Sequence, residues 1–165
     1  MTALSLAPEL TVRAIDFGEL AEVHRELEAA VRSLTPQLES TGAGVIYASF
    51  GGLERRYDDS GPGGFLDDLR DAALQLEFPA RVGMGSTRFV ARCAAILERR
   101  GAPPIMVPAG KERDFLAPQS LRLLPRAQDE VEALEELGLR SLGELAELPS
   151  SGLVRRFGER GVDAT

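Results

Sequence analysis

The sequence predicts an α/β (α+β) chain: a small mixed sheet layered with helices over residues 1–122, then a small all-helical segment over 123–165. Three observations predict it. Short β-branched or alternating runs interleave with longer runs whose apolar residues recur at helical spacing. Their order is strand, helix, strand, strand, helix, strand, helix, strand, which is that of a compact sheet covered by helices. After Pro125 the strand signals stop, and tight turns join short capped helices.

Residues 10–15 (LTVRAI) alternate apolar and polar and predict a first strand. Asp16, with Glu19 three residues on, predicts a helix start, and Leu20, Val23, Leu27 and Val31 continue one apolar face. A short strand is expected over 37–40, before a turn at Gly42, Ala43 and Gly44. Residues 45–50 (VIYASF) are β-branched and aromatic with glycine after them, the strongest strand signal in the chain. Residues 58–64 (DDSGPGG) predict a loop. Phe65, Leu66, Leu69, Ala72, Ala73 and Leu76 then mark an amphipathic helix that Pro79 ends. Residues 80–84 predict a strand, and Ser86 the cap of a helix from Thr87 to about Arg100. Pro103 and Pro104 lead into a short strand over 105–107, and 111–116 predict one or two helical turns. Pro118 and Pro125 bracket the connection to the last unit.

In that unit, 132–137 predict a helical turn closed by Gly138, the residue that best accepts a left-handed backbone. Ser141 with Glu144 has the spacing of a capping box. Ser150 or Ser151 is placed to cap a third helix, with Leu153, Val154 and Phe157 apolar and Gly158 as its stop. Leu134, Leu137, Leu142, Leu145 and Leu148 are expected to form a core too small to stand alone, so the unit must pack on something upstream.

A chain of 165 residues with 44% hydrophobic content buries one ordinary core. No apolar stretch has the length of a membrane span, and the first residues lack a basic region followed by an apolar run. A soluble cytoplasmic protein is therefore expected. Cys93 is the single cysteine, set in the apolar run FVARCAAIL, and is read as core; His24 is the single histidine, on a charged helix face, and is read as solvated. Zinc sites, cysteine nucleophiles and histidine general bases are thereby disfavoured. The net charge of −7 argues against general affinity for nucleic acid, which rewards Lys and Arg through counterion release. The distribution is uneven. Between Gly83 and Glu112 stand Arg88, Arg92, Arg99, Arg100 and Lys111 against Glu98 and Glu112, whereas Arg126 to Thr165 holds five arginines against nine acids.

Few residues suggest chemistry by themselves. GMGS at 83–86 places glycines before a helix N-terminus, where free amides attract anions, but it matches no established phosphate-loop spacing. Close strand-to-helix packing is the plainer reading. Arg88 and Arg92 share a helix face, with Arg99 further along, a stripe that matters only opposite a polyanion. The adjacent acids Asp58 and Asp59 lie in a loop, and Asp67 and Asp68, like Glu135 and Glu136, are neighbours on helices whose side chains diverge and cannot clamp one ion; all read as solvated surface.

Three blocks taken in order resemble the Y-family (DinB/UmuC-type) translesion DNA polymerases. VGMGSTRFVARCAAILERRG at 82–101 resembles that family's strand-turn-helix. MVPAGKERDFLAP at 106–118 resembles the strand and short helix that follow, and VEALEELGLRSLGELAELP at 131–149 resembles the helical thumb. LERRY and LPSSGLVRRFG are closest to the non-catalytic ImuB-like branch. The resemblance covers about residues 7–160. It implies that 1–122 correspond to the second half of the polymerase palm and 123–165 to the thumb.

Active members place an Asp-Glu pair in a strand matching VIYASFGGLERRY, and Gly51 and Gly52 occupy those positions here. Polymerases hold two metal ions on such carboxylates, so no catalytic residue, no metal ligand and no cofactor is expected in this chain, magnesium belonging to active members only. The family's Asn-Lys pair becomes Thr87-Arg88, its second Lys becomes Arg92, and a later phosphate-touching Lys falls near Arg99. The glycine-rich thumb hairpin is replaced by PRAQDE at 125–130. The resemblance implies a non-catalytic accessory or scaffold factor of DNA repair and damage-induced (SOS) mutagenesis. Weak contact with damaged or primer-template DNA would fall to Arg88, Arg92, Arg99, Arg155 and Arg156. Protein partners would be a replicative polymerase, a sliding clamp or a RecA-like protein, and residues 119–124 (QSLRLL) resemble a clamp-binding peptide as well as an ordinary connection. The alternatives are one part of a split, metal-dependent polymerase completed by another chain, and a decayed structural remnant.

Overall fold

The computed structural model describes residues 17–41 and 44–148. The expected strand over 10–15, the cap at Asp16, the turn residues Gly42 and Ala43, and the helix after Ser150 lie outside them.

Helix α1 spans Phe17–Leu34. It leads into β1 (Leu38–Ser40), which pairs antiparallel with β2 (Ile46–Ala48) so that Glu39 stands directly opposite Tyr47. Helix α2 covers Gly61–Gln75. It starts earlier than the loop expected over 58–64 because Pro62, with its φ already fixed, sits in the first turn. Gly64 also lets that turn close, since a Cβ there would lie 2.1 Å from Ser60 Oγ. The helix ends in a tight turn in which the Phe78 amide donates to Ala73 at 2.9 Å. Glu77 holds the left-handed φ of 61° that glycine usually supplies.

β3 (Gly83–Met84) pairs in parallel with β4 (Ile105–Met106) across helix α3 (Arg88–Leu97). The described strands therefore form two separate two-stranded ladders, one antiparallel and one parallel. The cap of α3 is Thr87, not Ser86: Thr87 Oγ1 accepts from the Val90 amide at 3.3 Å. Ser86 turns away and hydrogen-bonds Glu112 at the start of helix α4 (Glu112–Leu116). Gly83 and Gly85 are close-packing glycines. A Cβ on Gly83 would stand 2.3 Å from the Ala95 amide nitrogen, and one on Gly85 would stand 2.4 Å from Val90 Cγ1.

Helix α3 stops at Leu97, before the expected end at Arg100, because Glu98 turns into extended backbone and buries its carboxylate. Glu98 binds Arg70 of α2 and accepts the Val82 amide at 2.8 Å. Arg70 also reaches the Ala102 carbonyl at 3.2 Å. One charged pair thus fastens α2, the entrance to β3 and the exit of α3.

The last segment carries a short 3₁₀ turn (Leu121–Leu123), α5 (Gln128–Glu136) and α6 (Leu142–Ala146). The capping box of Ser141 and Glu144 is formed, and Gly138 takes a φ of +90°. Its core is Leu121, Leu124, Val131, Leu134 and Leu142, with Leu145 packed against it. Leu137 and Leu148 stay exposed instead of joining it, since Leu137 is the C-cap of α5 and Leu148 lies two residues past α6. Phe89 and Leu116 supply the upstream surface that this core requires. Gly143 seats α6 on the Ala117 backbone, where a Cβ would meet the Ala117 carbonyl oxygen at 2.9 Å.

Phe50, Tyr57 and Phe65 form a ring cluster with centroids 5.6 to 6.0 Å apart. Tyr57 is 6% exposed and donates its hydroxyl to Asp68 at 2.7 Å. Burial, then the Asp68 bond, raises its pKa above the ordinary 10.0.

Two predictions follow from this packing. Glu98→Ala leaves Arg70 and the Val82 amide without their acceptor and should lower stability by about 3 kcal/mol in urea unfolding, as breaking a buried pair does; unchanged stability would deny Glu98 its fastening role. Because the Tyr57 pKa is raised in the folded state, its contribution is complete below pH 10 and is lost as pH rises through the folded value. Alkaline unfolding curves of wild type and Tyr57→Phe should therefore differ in slope only above about pH 10.

Candidate nucleic-acid interface and central cleft

The two ladders do not touch through their open edges. Between them lies a cleft of about 690 Å³ lined by 44–50 on one side and 79–85 on the other. Its floor is helical, with Leu27 and Val31 from α1, Leu66 and Leu69 from α2, and Ala95 and Ile96 from α3. The outer strands β1 and β4 contribute nothing to the lining. Among the described residues, Arg81 and Arg92 are the charged ones in it, and no carboxylate joins them. Arg81 already donates to the Ile96 carbonyl at 2.9 Å.

Arg88 stands at the N-terminus of α3 and crosses to the antiparallel ladder. Its guanidinium meets both carboxylate oxygens of Glu39, with Nη1 to Oε1 at 2.8 Å, and lies 5.8 Å from the Tyr47 ring centre. The cross-strand register makes this seat, since Glu39 and Tyr47 are paired neighbours. Arg92 lies one turn further along and is half-buried in the cleft. Arg99 falls beyond the helix end and is exposed. Of these residues Arg92 lines the cleft, Arg88 is held by Glu39 outside its lining, and Arg99 lies past the helix end; Arg155 and Arg156 lie outside the described residues.

Gly51 and Gly52 occupy the turn that follows β2, three and four residues past its last member. Both are exposed. The Gly51 amide donates to Ser49 Oγ at 3.2 Å, and Gly52 has a φ of +86°. Among the described residues, no group of three or more His, Cys, Asp or Glu side chains is placed to hold a metal ion.

Other expected residues separate in the same way. Cys93 is fully buried, and burial pushes its thiol pKa up. His24 is not a solvated residue, because α1 lies on β1: its Nε2 meets Ser40 Oγ at 2.5 Å, and Nδ1 is buried without a partner among the described residues. Of the paired acids, Asp68 holds Tyr57, and Glu135 forms a two-point contact with Arg122 at 3.0 Å on each oxygen. That hydrogen bond holds the Glu135 carboxyl below the ordinary range. Leu121 and Leu124 are buried and Gln119 donates to Phe115, so 119–124 are an ordinary connection rather than a free peptide. Sequence reasoning missed Glu39, Tyr47 and Glu98. Only Glu98 left a signal, as an acid closing an apolar helix before two arginines.

The family profile described as the impB/mucB/samB family matches residues 1–96. DNA polymerase IV of Caulobacter vibrioides is 27% identical over 163 residues, which cover 97% of this chain and 40% of that protein. DNA polymerase IV of Dehalococcoides mccartyi (strain ATCC BAA-2266) is 31% identical over 161 residues, covering 96% of this chain and 40% of that protein. The chain thus spans 40% of the length of these curated relatives. The crystal structure of DinB from Sulfolobus solfataricus superposes with a TM-score of 0.74 at 13% identity, covering 96% of this chain and 46% of that one. With the helix-covered ladders and the short helical segment after them, the matches place the chain in the impB/mucB/samB family, with the α+β fold of a Y-family polymerase-like protein.

Proposed function

We propose that the chain is an accessory or scaffold factor of DNA repair and translesion synthesis, of the ImuB-like kind, that adds no nucleotides by itself. One observation supports this above the others. The strand Ile46–Ala48 and the turn at Gly51 and Gly52 present no carboxylate to the cleft, whereas in-line nucleotide transfer needs acids that hold two metal ions. The relatives named DNA polymerase IV supply the DNA context, and the partition into a palm-like unit over 1–122 and a thumb-like unit over 123–165 belongs to this reading.

DNA contact, on this reading, is weak and runs through Arg88, Arg92 and Arg99, with Arg155 and Arg156 beyond the described residues. Arg88 is already held by Glu39, so its charge is partly spent inside the protein. Protein partners are a replicative polymerase, a RecA-like protein or a sliding clamp, the last through a surface other than the buried leucines of 119–124. The cytoplasm is the proposed compartment; among the described residues no helix is long and apolar enough to cross a membrane.

Primer extension with magnesium and all four deoxynucleotides tests the central point. The chain alone should add none, and clear extension would overturn the reading. For the DNA contact, Glu39→Gln should free Arg88 and tighten binding to a labelled primer-template about threefold, with a log–log salt slope steeper by about 0.9 for one added phosphate contact. Arg88→Ala should abolish both changes, and indifference of both variants would remove Arg88 from the interface.

A further inference from the structure

The antiparallel ladder is held differently at its two ends. At one end the Ser49 amide donates to Gln37 at 2.8 Å, and the Ser49 carbonyl accepts from Thr35 Oγ1 at 3.1 Å, with Thr35 itself 1% exposed. Phe50, the next residue, meets the rings of Tyr57 and Phe65. The other end closes on exposed Thr41, whose amide donates to Val45 at 3.2 Å. Successive strand residues face opposite sides, so the side chains of Glu39 and Ser40 point away from each other. Ser40 Oγ meets His24 Nε2 of α1 at 2.5 Å, whereas Glu39 reaches Arg88 of α3. β1 is therefore pinned by one polar contact on each face.

The contact with α3 is the more open of the two. The Arg88 side chain is 65% exposed and that of Glu39 47%. Exposed ion pairs contribute little and weaken with salt. Among the described residues, no other hydrogen bond or ion pair joins β1 or β2 to α3. The Tyr47 ring, 5.8 Å from the guanidinium, keeps Arg88 beside the ladder by cation–π attraction that does not require Glu39. A guanidinium fork that meets both oxygens of a carboxylate also fits two oxygens of a phosphate. Glu39 and an incoming phosphate are thus alternative occupants of one donor set.

We propose that Glu39 is the internal counter-anion of Arg88 and that their pair is a clasp on the antiparallel ladder. A phosphate group that takes Arg88 releases Glu39, and with it the Thr41 end of the ladder. A looser ladder, in return, presents Glu39 less often and leaves Arg88 open to phosphate. The two effects are one coupling free energy and are equal in size. The phosphate half rests on the DNA contact proposed above; the clasp itself stands without DNA.

The full chain is used throughout. Without nucleic acid, amide hydrogen exchange is compared at Thr41 and Ser49. Arg88→Ala should speed exchange at Thr41 about threefold, as loss of an exposed pair would, and leave Ser49 unchanged. Rising ionic strength should do the same in wild type and add nothing in Arg88→Ala. With a labelled primer-template, Ser40→Ala should tighten binding about twofold, although Ser40 faces α1, and should have no effect in a Glu39→Gln background. His24→Ala removes the same contact from the α1 side and should act alike, which keeps the test decisive if the Ser40 variant misfolds. Exchange at Thr41 that ignores Arg88→Ala would overturn the clasp, as would equal acceleration at Ser49, the mark of general unfolding. Tightening by Ser40→Ala that persists beside Glu39→Gln would overturn the coupling. The expected exchange pattern together with a DNA affinity that Arg88→Ala does not alter would support the clasp and remove the DNA contact.

Discussion

Glu98 carries a negative charge into the interior, and three parts of the fold are arranged around it. Its carboxylate stops α3, holds the backbone entering β3 through Val82, and receives Arg70 from α2. Burying an ion pair is costly unless its remaining hydrogen-bonding capacity is filled, and here the Val82 amide and the Ala102 carbonyl fill it. The arrangement also sets distances. With α3 stopped at Leu97, Gly83 and Gly85 allow β3 to lie directly on the helix, and β4 then pairs beside it. The parallel ladder owes its position to a carboxylate and two missing side chains more than to strand length.

Charge is distributed against the composition. The chain is acidic overall, yet among the described residues the cleft is lined by arginine and no acid. Glu39 faces Arg88 on the outside of the antiparallel ladder, and Glu112 is occupied by Ser86. Helix caps, stops and close-packing glycines hold the framework, and the turn after β2 offers two glycines to solvent. Packing and capping draw on residues other than those that carry chemistry, so the fold by itself does not fix an activity.

Much of the fold was legible in the sequence because its signals are local. Helical periodicity found α1, α2 and α3; the capping box at Ser141 and Glu144 and the left-handed Gly138 appear as their patterns require. The three ordered blocks also pointed to the family that the profile match shows. What sequence could not show depends on contacts between distant residues. Whether Ser86 or Thr87 caps α3 is decided by Glu112, 26 residues away from Ser86. Leu137 and Leu148 satisfy an apolar pattern but fall outside a core filled by Leu121 and Leu124. The Arg88 seat needs a strand register, and the cleft needs two ladders that face each other, neither of which a linear pattern encodes.

The small helical core has one further consequence. Leu121 and Leu124 come from the connection, Val131, Leu134 and Leu142 from the helices, and Phe89 and Leu116 from the preceding layer, while Gly143 brings α6 onto the Ala117 backbone. No hinge can run between the connection and these helices without opening apolar surface to water. Within residues 17–148 the helical end is therefore a keystone rather than a jaw: it cannot move without moving α3 and α4.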